Sequence, residues 1–444
     1  MINVNNIVRK KIVGIGLGPS NLSLAISLFE DQKMFTPEEW LFIEKNKEVS
    51  WHPGMLFEGA RLQVPFVKDL VTLRNPTSYF SFLNYLKDKG RLDKFINNNH
   101  SAPTRIEYED YLKWVSENLP QQSVKMGTKV LRVEPFYEEG KDIATTLLIT
   151  YQHDDSINHI LTEQLIVGTG GAPKIPNVFR NLNKEQVWHS SSFKNNIKDI
   201  NLDNKVKVGI IGSGQSAAEI INYLHDLSPN IDMYSIMRRP SFRPEDDSPF
   251  VNEVFFPQHV DFMYGLSEEK RQAVLDDYWH ANYSAVNIDL INTLYEKLYE
   301  DNVKNIDRLK ILNYQEILKA TDNNQIDLVL KNTLNEEVIE LNLDLVVLAT
   351  GYDRVSLPSF LKDLESDLCY KNENLQLSRN YRVETTDNIL APIYIQGMSE
   401  SIHGITNTLL SILPIRAGEI VDDLLCNTNA ENQQDISVKQ LVMA

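Results

Sequence analysis

At 444 residues the chain is too long for one ordinary core, so two or three domains are expected. Its 42% hydrophobic and 24% charged residues are those of a soluble globular protein, and a formal net charge of −17 argues against a nucleic-acid partner, which needs a basic stripe. Cys369 and Cys426 are the only cysteines, with no C-x-x-C, so neither a disulfide framework nor a zinc site is supported and no metal is expected.

The N-terminus "MINVNNIVRKK" lacks an apolar signal segment, and no stretch approaches the ~20 apolar residues that span a bilayer. A cytoplasmic location without a membrane span is expected. The first element is the strand of Ile12, Val13 and Ile15 in "KIVGIGLGPSN". It empties into Gly16-x-Gly18-x-x-Asn21, the frame of a dinucleotide turn with Asn at the third position. One glycine permits the tight turn; the other lets backbone approach a pyrophosphate resting on the helix "NLSLAISLFE". A second strand, "WLFIEKN", ends in Glu44, an acceptor for ribose hydroxyls, and the loop "DQKMFTPEE" accounts for a spacing above the usual ~20 residues. A plain βαβ turn explains the glycines alone, but not strand, glycines, helix, strand and acid in that order.

Further on, "EQLIVGTGGAPKIPN" reads as a buried strand. The dinucleotide grammar then repeats, with a strand over 206–211, Gly212-x-Gly214-x-x-Ala217 and a helix. The following strand, "DMYSIMRR", ends in Arg238 and Arg239, which suit the 2′-phosphate of NADP. Residues 245–305 have helical periodicity and read as a small lid. "LDLVVLATGYD" is a third landmark strand, ending in Ala349-Thr350-Gly351-Tyr352. The expected fold is α/β, with two Rossmann-like dinucleotide-binding domains, for FAD and NADPH, and a small helical substrate-binding insert. The FAD-binding domain takes residues 1–204 and 341–444, the latter including a polar tail. The NADPH-binding domain takes 205–340, including the helical segment 245–305.

Two nucleotide sites on one chain imply hydride passed between bound cofactors. A disulfide reductase would carry a redox cysteine pair beside its flavin, and the first helix region has no cysteine. Flavin monooxygenases remain, and half of a flavin-monooxygenase linker signature stands as His189-x-x-x-Phe193.

Four stretches are more specific: "WHPGMLFEGARLQVPFVKDLVTLRNPTSYFSFLNYLKDKGRL" (51–92), "RPEDDSPFVNEVF" (243–255), "NYSAVN" (282–287) and "HGITNTLLSILPIR" (403–416). In matching order over about residues 10–425, the chain closely resembles the N-hydroxylating monooxygenases of siderophore biosynthesis, the ornithine N5- and lysine N6-hydroxylases. The likeness is closest to the ornithine type, because Lys68 stands in "FVKDL" and Asn252 in "SPFVNE".

The resemblance implies an enzyme in which NADPH reduces FAD and O2 is captured as a C4a-hydroperoxide. The terminal primary amine of a small substrate then takes an oxygen, giving a hydroxylated siderophore building block. It implies FAD contacts at Gly16, Gly18, Pro19, Asn21, Glu44, Trp51, His52, Gln63, Val130, Thr408, Leu409 and Leu410. It implies NADPH contacts at Gly212, Ser213, Gly214, Gln215, Ser216, Arg238, Asn282, Tyr283 and Ser284. For the substrate it implies Lys68 and Asn252 on the carboxylate end, Asn282 shared with the nicotinamide ribose, and Ser411 nearby. No side-chain nucleophile is implied, and a homo-oligomer, tetramer or dimer, is. "NTLLSIL" also reads simply as a buried amphipathic helix.

Asn407 and Asn287 stand where aspartate is frequent in the ornithine enzymes, which loosens the substrate assignment. Lysine, putrescine, cadaverine and histamine need the same oxygen transfer, and one methylene is worth only ~1–3 kcal/mol of discrimination. A catalytically silent nucleotide-binding redox sensor is the alternative of another class; a flavin oxidase would have no use for Lys68 and Asn252.

Overall fold

The structure, a computed structural model, describes residues 7–31 and 35–426, without the side chains of His280 and Asn282. The polar C-terminal tail and part of the loop before Trp40 lie outside the described residues. Two sheets organise the rest.

The first sheet runs in the order Val124–Lys125, Trp40–Ile43, Val8–Ile15, Ser156–Val167, Thr146–His153, Thr128–Phe136. Ile393–Ile395 adds to the far end of Ser156–Val167, in parallel, so the C-terminal part of the chain completes a sheet begun at the N-terminus. The last four residues of Val8–Ile15 and all of Trp40–Ile43 are buried, as parallel strands covered on both faces should be. One face carries helix Pro19–Glu30, helix Arg105–Asn118 and an aromatic cluster that includes Phe82, Tyr85, Tyr111 and Trp114. The other face packs on a separate core with Leu361, Leu364 and Ile389.

The second sheet is wholly parallel, in the order Leu309–Leu312, Ile231–Ile236, Val206–Ile211, Leu345–Leu348, Val187–His189. It takes strands on both sides of the 205–340 segment, because Leu345–Leu348 pairs with Val206–Ile211 on one edge and Val187–His189 on the other. Helices Gln215–Leu227 and Ile288–Val303 cover one face. A three-stranded antiparallel sheet, Gln315–Asn323, Gln325–Asn332 and Val338–Leu343, covers the other. Met55 and Phe57, from far earlier in the chain, are buried in the helical-side core; the Phe57 ring sits 4.8 Å from Tyr223 and 5.9 Å from Phe193.

The insert is helical as expected, with Pro257–Gly265, Glu268–Asp277 and Trp279–Asn282 preceding the long helix. It has its own small core of Val254, Met263, Leu275 and Ile405. The helix read over "NTLLSIL" is corrected. Ile405–Thr408 and Leu410–Ile412 are short 3-10 turns separated by an extended Leu409, and the continuous helix begins only at 413. Buried Arg416 holds the break, donating from Nη1 to the Asn407 carbonyl at 2.7 Å.

Candidate active site

The first glycine turn separates two demands. Gly16 has φ +88°, and a Cβ there would lie 2.7 Å from the Gly168 carbonyl oxygen, so the turn itself requires glycine. At Gly18 a Cβ would meet nothing within 4 Å, and φ −76° suits any residue. The chain's own packing does not require glycine there. The bare backbone leaves an open approach to helix Pro19–Glu30, which starts with Pro19 and has neither a side-chain cap nor an acid in its first turn. Such a start accepts a phosphate. Glu44, 8% exposed, accepts from the Leu17 and Asn46 amides at 2.8 and 2.9 Å. A carboxylate accepts about four hydrogen bonds, so capacity for a ribose remains. These residues fit a dinucleotide.

Asn21 does something else. It is fully buried, its Nδ2 donates to the Ile15 and Gly16 carbonyls at 3.1 and 2.7 Å, and Gln396 donates to its Oδ1 at 2.8 Å. Its side chain staples the turn from inside.

The second turn repeats the first. Gly212 has φ +141°, with a Cβ position 2.4 Å from the Ala349 carbonyl oxygen. Gly214 is closely approached by Ser284, whose Cα would lie 3.4 Å from a Cβ there. Helix Gln215–Leu227 also begins without a side-chain cap or an early acid, and Ser213 and Ser216 flank its start half-buried. The Gln215 amide is engaged within the protein, donating to Glu219 at 2.8 Å and accepting from the Asn287 amide at 2.9 Å. Glu219 in turn takes both Nη atoms of Arg105, at 2.7 and 2.8 Å, in a buried pair that ties this helix to Arg105–Asn118. Burial pushes the Glu219 carboxyl up, while Arg105 and Gln215 draw it down. After the next strand, Arg238 is exposed and Arg239 half-buried. Burial, then Arg243 and Arg238, pushes the Arg239 guanidinium down, so three cations gather where a phosphate would relieve their repulsion.

Between the turns, stretches far apart in sequence converge. His52, at φ 52°, places Nδ1 3.3 Å from the Tyr352 hydroxyl, and burial, Arg105 and Arg354 push its imidazole down to about 4. His189 lies 2.8 Å from the Gly351 carbonyl and 2.9 Å from Ser191 Oγ, its ring edge-on to Tyr352. Trp51 packs edge-on to His52 and Tyr108. Opposite, the Tyr283 hydroxyl donates to Glu400 and lies 3.4 Å from Thr408 Oγ1.

Around the expected substrate end, Lys68 is half-buried beside Asp69. Asp69 is 1% exposed and pins the loop by accepting from the Val71, Thr72 and Phe82 amides and the Thr72 hydroxyl. Gln63 donates to Glu245 of the insert at 2.7 Å. Asn252 donates locally, to the Asp247 carbonyl at 2.8 Å, and no hydrogen bond joins it to Lys68 among the described residues. Ser411 is buried; Leu409 and Leu410 are half-buried. Val130 belongs to a core cluster with Val133 and Tyr151. The side chain of Asn282 lies outside the described residues. Sequence reasoning missed Glu400, Arg354 and the Arg105–Glu219 pair. Arg354 follows "ATGYD" directly and Glu400 shortly precedes "HGITN", so proximity to those motifs was the available signal.

Among the described residues no cluster of three or more His, Cys, Asp or Glu could hold a metal, and no helix is long and apolar enough to cross a membrane. Two glycine turns on two sheets, each opening an uncapped helix, are the mark of a two-dinucleotide oxidoreductase. The model of the L-lysine 6-monooxygenase/L-ornithine 5-monooxygenase family matches residues 10–354. An L-ornithine N(5)-monooxygenase of Pseudomonas aeruginosa is 38% identical over 417 residues, covering 93% of each chain. The solved ornithine hydroxylase from Pseudomonas aeruginosa superposes with a TM-score of 0.88 at 37% identity, over 95% of this chain and 100% of that one. An ornithine N-hydroxylase from Kutzneria sp. 744, solved with reduced FAD, NADP+ and L-ornithine, also gives 0.88, at 34% identity over 94% and 99%. The chain belongs to the L-lysine 6-monooxygenase/L-ornithine 5-monooxygenase family, and is an enzyme of the flavin-dependent N-monooxygenase class.

Proposed function

We propose that this enzyme uses FAD, NADPH and O2 to hydroxylate the terminal amine of L-ornithine, supplying a hydroxylated building block for a siderophore in the cytoplasm. The observation that carries this reading is the likeness to ornithine N-hydroxylases over nearly the whole chain, together with two glycine turns built for dinucleotides. In this reading residues 1–204 and 341–444 bind FAD and 205–340 bind NADPH, with the flanking strands completing the second sheet, in a dimer or tetramer.

Bound there, FAD would supply the redox chemistry by which NADPH and O2 oxidise the amine, one oxygen atom going to the amine and the other to water. The chain's part is to bind, orient and exclude water. The start of helix Pro19–Glu30 holds one pyrophosphate over Gly18, and Glu44 accepts from a ribose. The start of Gln215–Leu227 would hold the other, with Arg238 to meet the 2′-phosphate and Tyr283 and Ser284 beside the turn. Trp51, His52, Gln63 and the turn of Thr408, Leu409 and Leu410 wall the reacting end. Val130, in the core cluster with Val133 and Tyr151, is read as a further FAD contact. Lys68 faces the substrate carboxylate, Asn252 directs it, and Asn282 and Ser411 border the amine. Since His52 is held neutral by its burial, it adds no cation beside an amine that must react uncharged.

The test is Lys68→Ala. Hydrogen bonds to charged groups are worth roughly 1.5–3 kcal/mol, so the ornithine KM should rise about ten- to a hundredfold. The putrescine KM should move by less than about threefold, because that amine has no carboxylate for Lys68 to meet. A wild-type enzyme that hydroxylates only carboxylate-free amines would overturn the ornithine assignment.

A further inference from the structure

Tyr283 and Ser284 stand between the two halves of the site. Ser284 adopts a left-handed backbone, φ 55°, and its Cα lies against the second glycine turn at Gly214. A serine holds that conformation only where neighbours fix it. On its N-terminal side Tyr283 is fixed three ways. Its amide donates to the Trp279 carbonyl at 2.8 Å, its ring packs 4.7 Å from Trp279, and its hydroxyl donates to Glu400. The hydroxyl also lies 3.4 Å from Thr408 Oγ1. Glu400 comes from the short helix Glu400–His403, which packs against the insert helices Pro257–Gly265 and Glu268–Asp277.

We propose that Glu400 is a positioning residue: by accepting the Tyr283 hydroxyl it holds residues 283–284 against the second glycine turn and sets the affinity for the pyridine nucleotide. This rests on the reading of that turn as the NADPH site. The bond is charge-assisted, from a neutral phenol to a carboxylate, which makes it one of the stronger contacts at the junction. Burial and Glu400 push the Tyr283 phenol up to about 12, so the hydroxyl stays a donor at neutral pH. Burial raises the Glu400 carboxyl, against the opposing pull of Tyr283 and Arg354. Arg354 sits near enough to act on Glu400, Tyr283, Tyr352 and His52 alike, and its positive charge favours the ionised form of Glu400 against the burial that opposes it.

The experiment is equilibrium binding of NADP+ to the FAD-loaded enzyme, with steady-state KM for NADPH and ornithine alongside. Tyr283→Phe and Glu400→Ala should each weaken NADP+ binding by about tenfold, with the double variant no weaker than either alone, because one bond is lost in all three. Glu400→Gln keeps an acceptor oxygen and should come within about threefold of wild type. The ornithine KM should change by less than about threefold throughout, since no substrate contact is touched. If Glu400→Ala fails to fold, Tyr283→Phe and Glu400→Gln still decide the matter. Unchanged NADP+ affinity in Tyr283→Phe, additive losses in the double variant, or an ornithine KM that rises in step would each overturn the proposal. A flavin-loaded wild type that binds no NADP+ would overturn the nucleotide reading beneath it.

Discussion

Replacing His403 by glutamine should remove a defined part of this protein's sensitivity to acid. The histidine is fully buried, its ring stacked 4.3 Å from Tyr381 and 5.8 Å from Tyr264. Its Nε2 lies 3.1 Å from both the Ser378 and Arg379 carbonyls, so the neutral ring donates from that nitrogen. Burial, with Arg379 and Arg416 close by, pushes the imidazole down from 6.5 to about 3. A histidine that is harder to protonate when folded stabilises fully above its unfolded value, and that stabilisation is lost as pH falls from there toward the folded value. At pH 5 the unfolded side chain is about 1.5 units below its midpoint and the folded one is still neutral, a difference of roughly 2 kcal/mol. Glutamine keeps an N–H for the two carbonyls and does not titrate. In urea unfolding at pH 7.5 and pH 5, wild type should therefore lose about 2 kcal/mol more than His403→Gln. Every other titrating group is common to both proteins. Equal losses would mean that His403 is protonated in the fold, and the burial argument would fail.

Gly18→Val should fold with near-normal thermal stability, because nothing in the chain crowds that position, yet purify without FAD; a fully yellow variant would refute the open-approach argument. Arg238→Ala should raise the KM for NADPH at least about tenfold while NADH use is little changed, because the proposed partner of Arg238 is the 2′-phosphate, which NADH lacks. Equal effects on both nucleotides would remove Arg238 from that role. Arg105→Gln strands the buried Glu219 carboxylate and should cost roughly 3–5 kcal/mol in urea unfolding. Wild-type stability in that variant would show the pair to be dispensable.

The two nucleotide turns were legible because their chemistry is local: strand, glycine, glycine and helix occupy a dozen or so consecutive positions, and Glu44 follows the next strand directly. What the Asn21 side chain bonds within the protein was not legible, because its partner Gln396 stands 375 residues further along the chain. The "NTLLSIL" helix failed because periodicity sees apolar spacing but not the Arg416 side chain reaching back to the Asn407 carbonyl. Val187–His189 is a strand of three residues, too short to carry a pattern, and it exists because Leu345–Leu348 is there to pair with it. Glu400, Arg354 and Arg105 each act on groups more than a hundred residues away, so the sequence shows at most that Glu400 and Arg354 lie beside motifs, never which groups they meet.

Met55 and Phe57 follow the first-sheet strand Trp40–Ile43 in sequence but pack in the core of the second sheet. Beside them a Cβ on Gly54 would fall 2.3 Å from the Ser191 backbone, and Lys194 donates to the Leu56 carbonyl, so this short segment is gripped along its whole length. The segment leads straight back to Trp51 and His52. It therefore works as a drawbar between two vehicles: if the second sheet swings as a body, the anchored phenylalanine and methionine travel with it and pull on the loop of Trp51 and His52. A gene cut at 205 and 340 would leave that drawbar behind, with its two apolar residues in water and a hole of matching shape in the excised piece.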